Sequence, residues 1–229
     1  MPGRVSRRLR GPWRALLQRL FNRLERLRDD SLAIGHGDPL ASRFAEFGAG
    51  SRIASPRVAL INPASVAIGS DVEIRSGICI EAYAPRGQVV LRLGDRTVVG
   101  HNVRLVAVNG IHIGEDCGIG HGVTIADTIH DWTEVMDGVP ASRASFVTGP
   151  PLRIESGAWI GNNCGLYRGI TIGARAIVAP GSVVTRDVPP ETMVSGNPAR
   201  RVPYPRTLSE AGLEALGASR GDEGTGVER

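Results

Sequence analysis

The chain has 229 residues, 41% of them hydrophobic and 22% charged, with a formal net charge of +4, which suits one substantial soluble domain with short appendages. All 27 basic residues are arginine, which excludes Schiff-base or lysine-nucleophile chemistry, and the excess arginine is concentrated in the first thirty residues, so pI alone is no argument for a nucleic-acid partner. Cys79, Cys117 and Cys164 are odd in number and lack a CxxC spacing, which argues against a disulfide framework and for a reducing, cytoplasmic setting.

The first segment, residues 1–50, contains "GPWRALLQRLFNRLERLRDD". Trp13, Leu16, Leu17, Leu20, Phe21, Leu24 and Leu27 recur at spacings of three and four, with arginines on the other face. That pattern predicts an amphipathic α-helix of about five turns. Packing on its own domain or on a neighbouring subunit competes with a peripheral contact of residues 10–28 with the inner face of an anionic membrane. Charges interrupt what would be the apolar region of a signal peptide, and no apolar run approaches the roughly 18 residues of a membrane span.

Residues 51–205 follow a different period. Ile68, Ile74 and Ile80 are six apart, and the series resumes at Leu93, Val99 and Leu105, then at Ile113, Ile119 and Ile125. After an excursion it continues through Ile154, Ile160, Leu166, Ile172, Val178 and Val184. All fifteen positions are Ile, Leu or Val, and seven are followed directly by glycine. A six-residue unit is too short for a helix–turn–helix and fits a short strand plus a turn, the hexapeptide β-helix repeat. Three hexads per coil give about five coils, each burying its neighbour's aliphatic face. Cys117 and Cys164 fall two before a phase residue, as does Val72 before Ile74, and are expected inside.

The period breaks at "TIADTIHDWTEV", residues 124–135, where the polar excursion 131–153 begins. Long loops in compact domains are often functional, and this one contains Trp132, Glu134 and Asp137. Of the five histidines, His101 and His121 follow a phase-plus-glycine pair and read as corner residues. His112 lies in a two-residue slip, His36 in the N-terminal linker, and His130 at the break. Residues 206–229 read as a short C-terminal helix or tail.

The run "GAWIGNNCGLYRGITIGARAIVAPGSVVTRDVPPETMVSGNPARRV" and the repeats before it resemble the hexapeptide-repeat acyltransferases. Among these the chain is most similar to the maltose and galactoside acetyltransferases and to enzymes that acetylate bacterial surface polysaccharides. The resemblance implies an all-β, left-handed parallel β-helix, a homotrimer with active sites between neighbouring β-helices, and acetyl-CoA as co-substrate with no metal. Handedness comes from the resemblance alone, since crossovers are normally right-handed.

Carried over position by position, the resemblance implies that His130 is the general base that deprotonates a sugar hydroxyl for direct attack on the thioester. An imidazole of pKa near 6.5 suits that task at neutral pH. Asp127, three residues earlier, either orients the imidazole, contacts the acceptor or is an ordinary turn aspartate. Asn102 and Trp132 are the acceptor-side candidates, and the excursion is expected to wall the acceptor cleft. For coenzyme A the matching positions are Trp159, Gly161, Asn162, Pro180, Thr185, Arg186 and Arg200, where an arginine fork suits phosphate. Ala179 and Pro180 replace the family's usual Gly-Ala, and Arg201 is a second phosphate candidate.

Other readings keep the same fold. An amine or serine acceptor is one, although serine acetyltransferases carry a much larger helical N-terminal domain. A gamma carbonic anhydrase needs an HxxxxH pair, and here His121 and His130 are nine residues apart. A non-catalytic trimeric binding module is the third.

Overall fold

The computed structural model describes residues 32–85 and 87–203. The N-terminal helix reading and the tail reading fall on residues outside these. The described chain winds into a left-handed parallel β-helix of about seven turns, with six complete coils and a partial seventh. The first coil begins with the strand Glu46–Phe47, inside the segment read above as linker.

Each coil contributes one short strand to each of three faces. The first face stacks Glu46–Phe47, Val66–Ile68, Leu91–Leu93, Ile111–Ile113, Leu152–Ile154 and Thr171–Ile172. The second stacks Arg52–Ile53, Glu73–Ile74, Val98–Val99, Gly118–Ile119, Trp159–Ile160, Ile177–Val178 and Met193–Gly196. The third stacks Ala59–Ile61, Cys79–Ala82, Arg104–Ala107, Thr124–Ala126, Gly165–Tyr167 and Val183–Val184.

Strand periodicity sends alternate side chains inward, and the coil register superposes them. Leu105 thus sits between Ile80 and Ile125, and Ile160 between Ile119 and Val178. All fifteen phase residues are at most 3% exposed. Cys117 and Cys164 are buried beside them, as expected. Removing one such Ile or Leu to Ala in a stacked core typically costs about 2–5 kcal/mol, because the coils above and below cannot collapse into the gap.

The corners need close backbone approach. A Cβ on Gly94 would stand 2.6 Å from the carbonyl carbon of Gly114, and one on Gly161 would stand 2.6 Å from the nitrogen of Pro180. Only glycine lets the coils stack there. Both ends of the second face are closed by antiparallel strands, Ile34–Gly35 against Arg52–Ile53 and Ala199–Val202 against Met193–Gly196. A parallel sheet edge left open would invite further strands, and these two strands cover it.

Candidate functional site

The break in the repeat is an arm that leaves the corner between the third and first faces after coil four. Its root is a two-stranded antiparallel ribbon, Thr128–His130 against Phe146–Thr148. Its tip carries a short α-helix, Trp132–Met136, whose N-cap Asp131 accepts a 2.8 Å hydrogen bond from the Thr133 N–H. The Ser145 N–H donates to the Glu134 carboxylate at 2.6 Å, tying the helix back to the returning strand. The excursion therefore starts at Thr128 rather than at 131, and His130 lies within the ribbon instead of at a coil corner.

His130 is exposed and paired with Phe146 across the ribbon, their ring centroids 4.6 Å apart. Its Nδ1 lies 3.3 Å from the carbonyl oxygen of Ala144. A carbonyl can only accept, so this contact selects the tautomer with the proton on Nδ1 and leaves the Nε2 lone pair free. Phe146 and Ala144 hold the ring in that orientation.

Asp127 does not orient the imidazole. It is fully buried, and its carboxylate accepts the backbone N–H groups of Val108 (2.9 Å), Asn109 (2.7 Å) and Gly110 (2.5 Å). The charge is spent on closing the turn that leads from coil three into coil four, where strand bonds cannot reach these three donors. Asn109 in turn donates from Nδ2 to the carbonyl of Gly149 at 2.8 Å, on the returning root of the arm. Asp127 and Asn109 thus fix both roots.

Several other candidates are also occupied structurally. Asn102 is a coil-three corner residue at φ 56°, its amide oxygen packed against Gly77, between the second and third faces rather than at the corner that bears the arm. Asn162 accepts the His121 N–H at 2.8 Å, His121 Nδ1 accepts the His101 N–H at 2.9 Å, and Ser76 meets His101 Nδ1 at 2.8 Å. This corner ladder stacks the two imidazoles 5.2 Å apart. Gly161 and Pro180 belong to the same corner, one packed on the other. These corners thus carry the residues that the resemblance assigns to coenzyme A, each also closing a turn.

A groove of about 620 Å³ runs under the arm, over coils five and six. Ile129, Trp132, Pro150, Tyr167, Ile170 and Val183 line it, with Thr185 and Arg168 also on its wall. Trp132, expected on the acceptor side, and Thr185, expected on the donor side, therefore meet in one cavity. Ile129, Tyr167 and Arg168 carried no signal in the hexad pattern, because each points outward or lies off phase, whereas Ile170, two before Ile172, belongs to the buried core. His130 follows Ile129 in the ribbon and does not itself line the wall.

Trp159 stands on the second face, 51% exposed, away from the corner that bears the arm. Arg186 is exposed just after the last strand of the third face. Arg200 is exposed in the closing hairpin, its Nη1 bonded to the Ala199 carbonyl at 2.9 Å. One chain thus does not bring His130, Trp159 and Arg200 to a single point. Among the described residues no group of three or more His, Cys, Asp or Glu side chains is placed to hold a metal ion.

The sequence compares with known families over the same coils. Residues 90–126 match the hexapeptide repeat of succinyl-transferase, and residues 151–186 match the bacterial transferase hexapeptide (six repeats). An acyl-[acyl-carrier-protein]–UDP-N-acetylglucosamine O-acyltransferase of Synechocystis is 32% identical over 157 residues, 69% of this chain and 46% of that protein. A proposed acetyltransferase of Schizosaccharomyces pombe is 29% identical over 112 residues, 49% of this chain and 52% of that protein. The chain therefore spans about half the length of these curated relatives. In fold it is similar to AntD, an N-acyltransferase from Bacillus cereus solved with dTDP and 3-hydroxybutyryl-CoA. That likeness has a TM-score of 0.63 at 16% identity and covers 80% of this chain and 95% of AntD. Coils three to six thus match hexapeptide-repeat transferase models, coils five and six that of the bacterial transferases.

Proposed function

We propose that this protein is an acyltransferase that moves an acetyl group from acetyl-CoA to a hydroxyl of a sugar or polysaccharide precursor. The observation that carries this is the state of His130: exposed, buttressed by Phe146, and held by the Ala144 carbonyl with Nε2 free. That is the arrangement a general base requires. Sequence likeness to an acetyltransferase and the 3-hydroxybutyryl-CoA of the AntD structure support a coenzyme A thioester as donor.

The chemistry is a direct transfer. His130 Nε2 takes the proton of the acceptor hydroxyl as its oxygen attacks the thioester carbonyl. The tetrahedral intermediate then expels the coenzyme A sulfur, which recovers the proton from the imidazolium. No acyl-enzyme forms, so the protein's contribution is positioning plus one proton relay. The apolar groove over coils five and six suits the pantetheine arm, and Arg168 and Arg186 flank Thr185 as cations for its phosphates.

The active unit is a homotrimer in this proposal. The outward side chains of the second face form an apolar column, Val98, Trp159, Ile177 and Met193, with Val98 and Trp159 exposed. The arm exposes Trp132, Val135, Met136 and Phe146. Two exposed apolar surfaces on one chain fit subunit contacts, and a neighbour would bring a second-face tryptophan to an arm histidine.

The test is thiol release from acetyl-CoA in the presence of a panel of neutral and amino sugars. Wild type should release thiol with at least one hydroxyl acceptor, and His130→Ala should abolish it while the oligomer mass is unchanged. Turnover by the Ala variant at the wild-type rate would refute the base, and product formed only on amines would replace the hydroxyl acceptor.

A further inference from the structure

The first face presents a column of outward side chains that acyl transfer does not use. The register sets Arg92 beside His112 and His112 beside Arg153. Ala67 precedes this trio on coil two and Thr171 follows it on coil six. Neighbouring strands lie about 4.8 Å apart, so the three side chains form a single file about 10 Å long. Their flanking residues Leu91, Leu93, Ile111, Ile113, Leu152 and Ile154 are buried, which leaves the backbone beneath no freedom to spread them.

The column is electrically unbalanced. Arg75, Arg96, Arg104 and Arg175 each pair with a carboxylate. Neither Arg92 nor Arg153 has a carboxylate partner or side-chain hydrogen bond among the described residues. The two arginines stand two strands apart with His112 between them, and burial together with Arg153 and Arg92 holds the His112 imidazole below its ordinary pKa. The ring packs against Gly110, whose added Cβ would lie 3.3 Å from Nε2 and 3.1 Å from Pro151.

The surroundings limit the size of the counterion. Asp95, Glu115 and Asp116 are exposed one corner along the same coils, gathered around Arg96. Glu46 lies in the same column on coil one, beside Ala67. An extended anionic surface laid on this face would meet those acids, whereas a compact anion on the column would not.

We propose that Arg92, His112 and Arg153 form a binding site for a phosphate or diphosphate group of a small-molecule ligand. Each guanidinium offers a planar pair of donors matched to phosphate oxygens, and His112 supplies a donor between them. A column about 10 Å long accommodates one diphosphate along the coil axis. The site stands independently of the acyl-transfer reading.

Thermal unfolding of the full chain with and without inorganic pyrophosphate at low ionic strength tests it, alongside calorimetric titration. Wild type should bind pyrophosphate and gain Tm by linkage. Arg92→Gln and Arg153→Gln should each weaken binding by about tenfold or more, since each removes a charge-assisted contact. Without the anion both variants should melt at or above the wild-type Tm, because repulsion is relieved; a merely structural arginine would lower it. Arg75→Gln, at an arginine outside the column that pairs with Glu73, should keep the wild-type response. A double Arg92→Gln, Arg153→Gln variant that retains the pyrophosphate response, or a wild type with none, overturns the site. Thiol release by His130→Ala is a separate measurement, so either reading can fail alone.

Discussion

The carboxylate of Asp127 accepts the backbone N–H of Gly110 at 2.5 Å, binding the last residue of coil four to the turn that enters it. Two further N–H groups, of Val108 and Asn109, converge on the same buried carboxylate. Since the arm begins at the next residue, this contact sets the direction in which His130 leaves the β-helix. Asp127→Ala leaves three buried donors unpaired and should cost about 3 kcal/mol or more, read as a lower midpoint in denaturant unfolding. Asp127→Asn keeps the shape but loses the charge and should fall between the two.

Phe146 supports the imidazole from across the ribbon. Phe146→Ala should lower kcat by about tenfold while the KM for acetyl-CoA stays near wild type, because the base is loosened and the groove is untouched. Steady-state kinetics separate the two constants. An equal loss in donor KM would mean that the ring contacts the donor instead.

The groove under the arm gives a complementary variant. Val183→Trp fills it from the third face, beside Thr185. Donor affinity measured by calorimetry with coenzyme A should drop about tenfold or more, with folding retained because Val183 is only half-buried and outward-facing. Unchanged affinity would place the donor elsewhere.

The cysteines should be inert in the folded protein. Burial, reinforced by the adjacent Glu81 carboxylate, pushes the Cys79 thiol up to about 11, and burial also raises Cys117 and Cys164. At pH 8 a thiol reagent should label none of the three quickly in native protein and all three after denaturation. The sign for stability follows from linkage: the folded thiol holds its proton to higher pH than the unfolded one. The Cys79 contribution is therefore complete below about pH 9 and is lost as pH rises towards 11.

His112 has the opposite dependence. Its folded pKa is depressed by burial and by Arg153 and Arg92, so below the ordinary imidazole value the unfolded state binds more protons. Stability should fall as pH drops below about 6.5. His112→Gln should flatten that part of the profile in Tm against pH, and Arg92→Gln should reduce it in part.

The hexad phase made the core legible in detail. From Ile68 to Val184 each phase residue is inside, because a period-six strand-and-turn unit has only one way to bury its aliphatic positions against identical neighbours. Coil one and the partial seventh were less legible: Phe47 and Ile53 are six apart, as are Val188 and Val194, but neither pair is in step with the series from Ile68 to Val184. At the corners the sequence could not separate roles, since Asn102, Asn162 and Gly161 are the residue types that both a tight turn and a ligand site would use.

By itself, then, the sequence determined the β-helix, its buried aliphatic columns and the point where regular packing stops. The tertiary structure decided what stands at that point. It committed Asp127 to backbone donors in the preceding turn and gave His130 an Ala144 carbonyl partner. It also gathered Arg92, His112 and Arg153 from positions twenty and forty-one residues apart into one column. Hydrophobic periodicity is a local property that repeats along the chain, whereas these contacts join different coils and depend on the register with which one coil settles on the next.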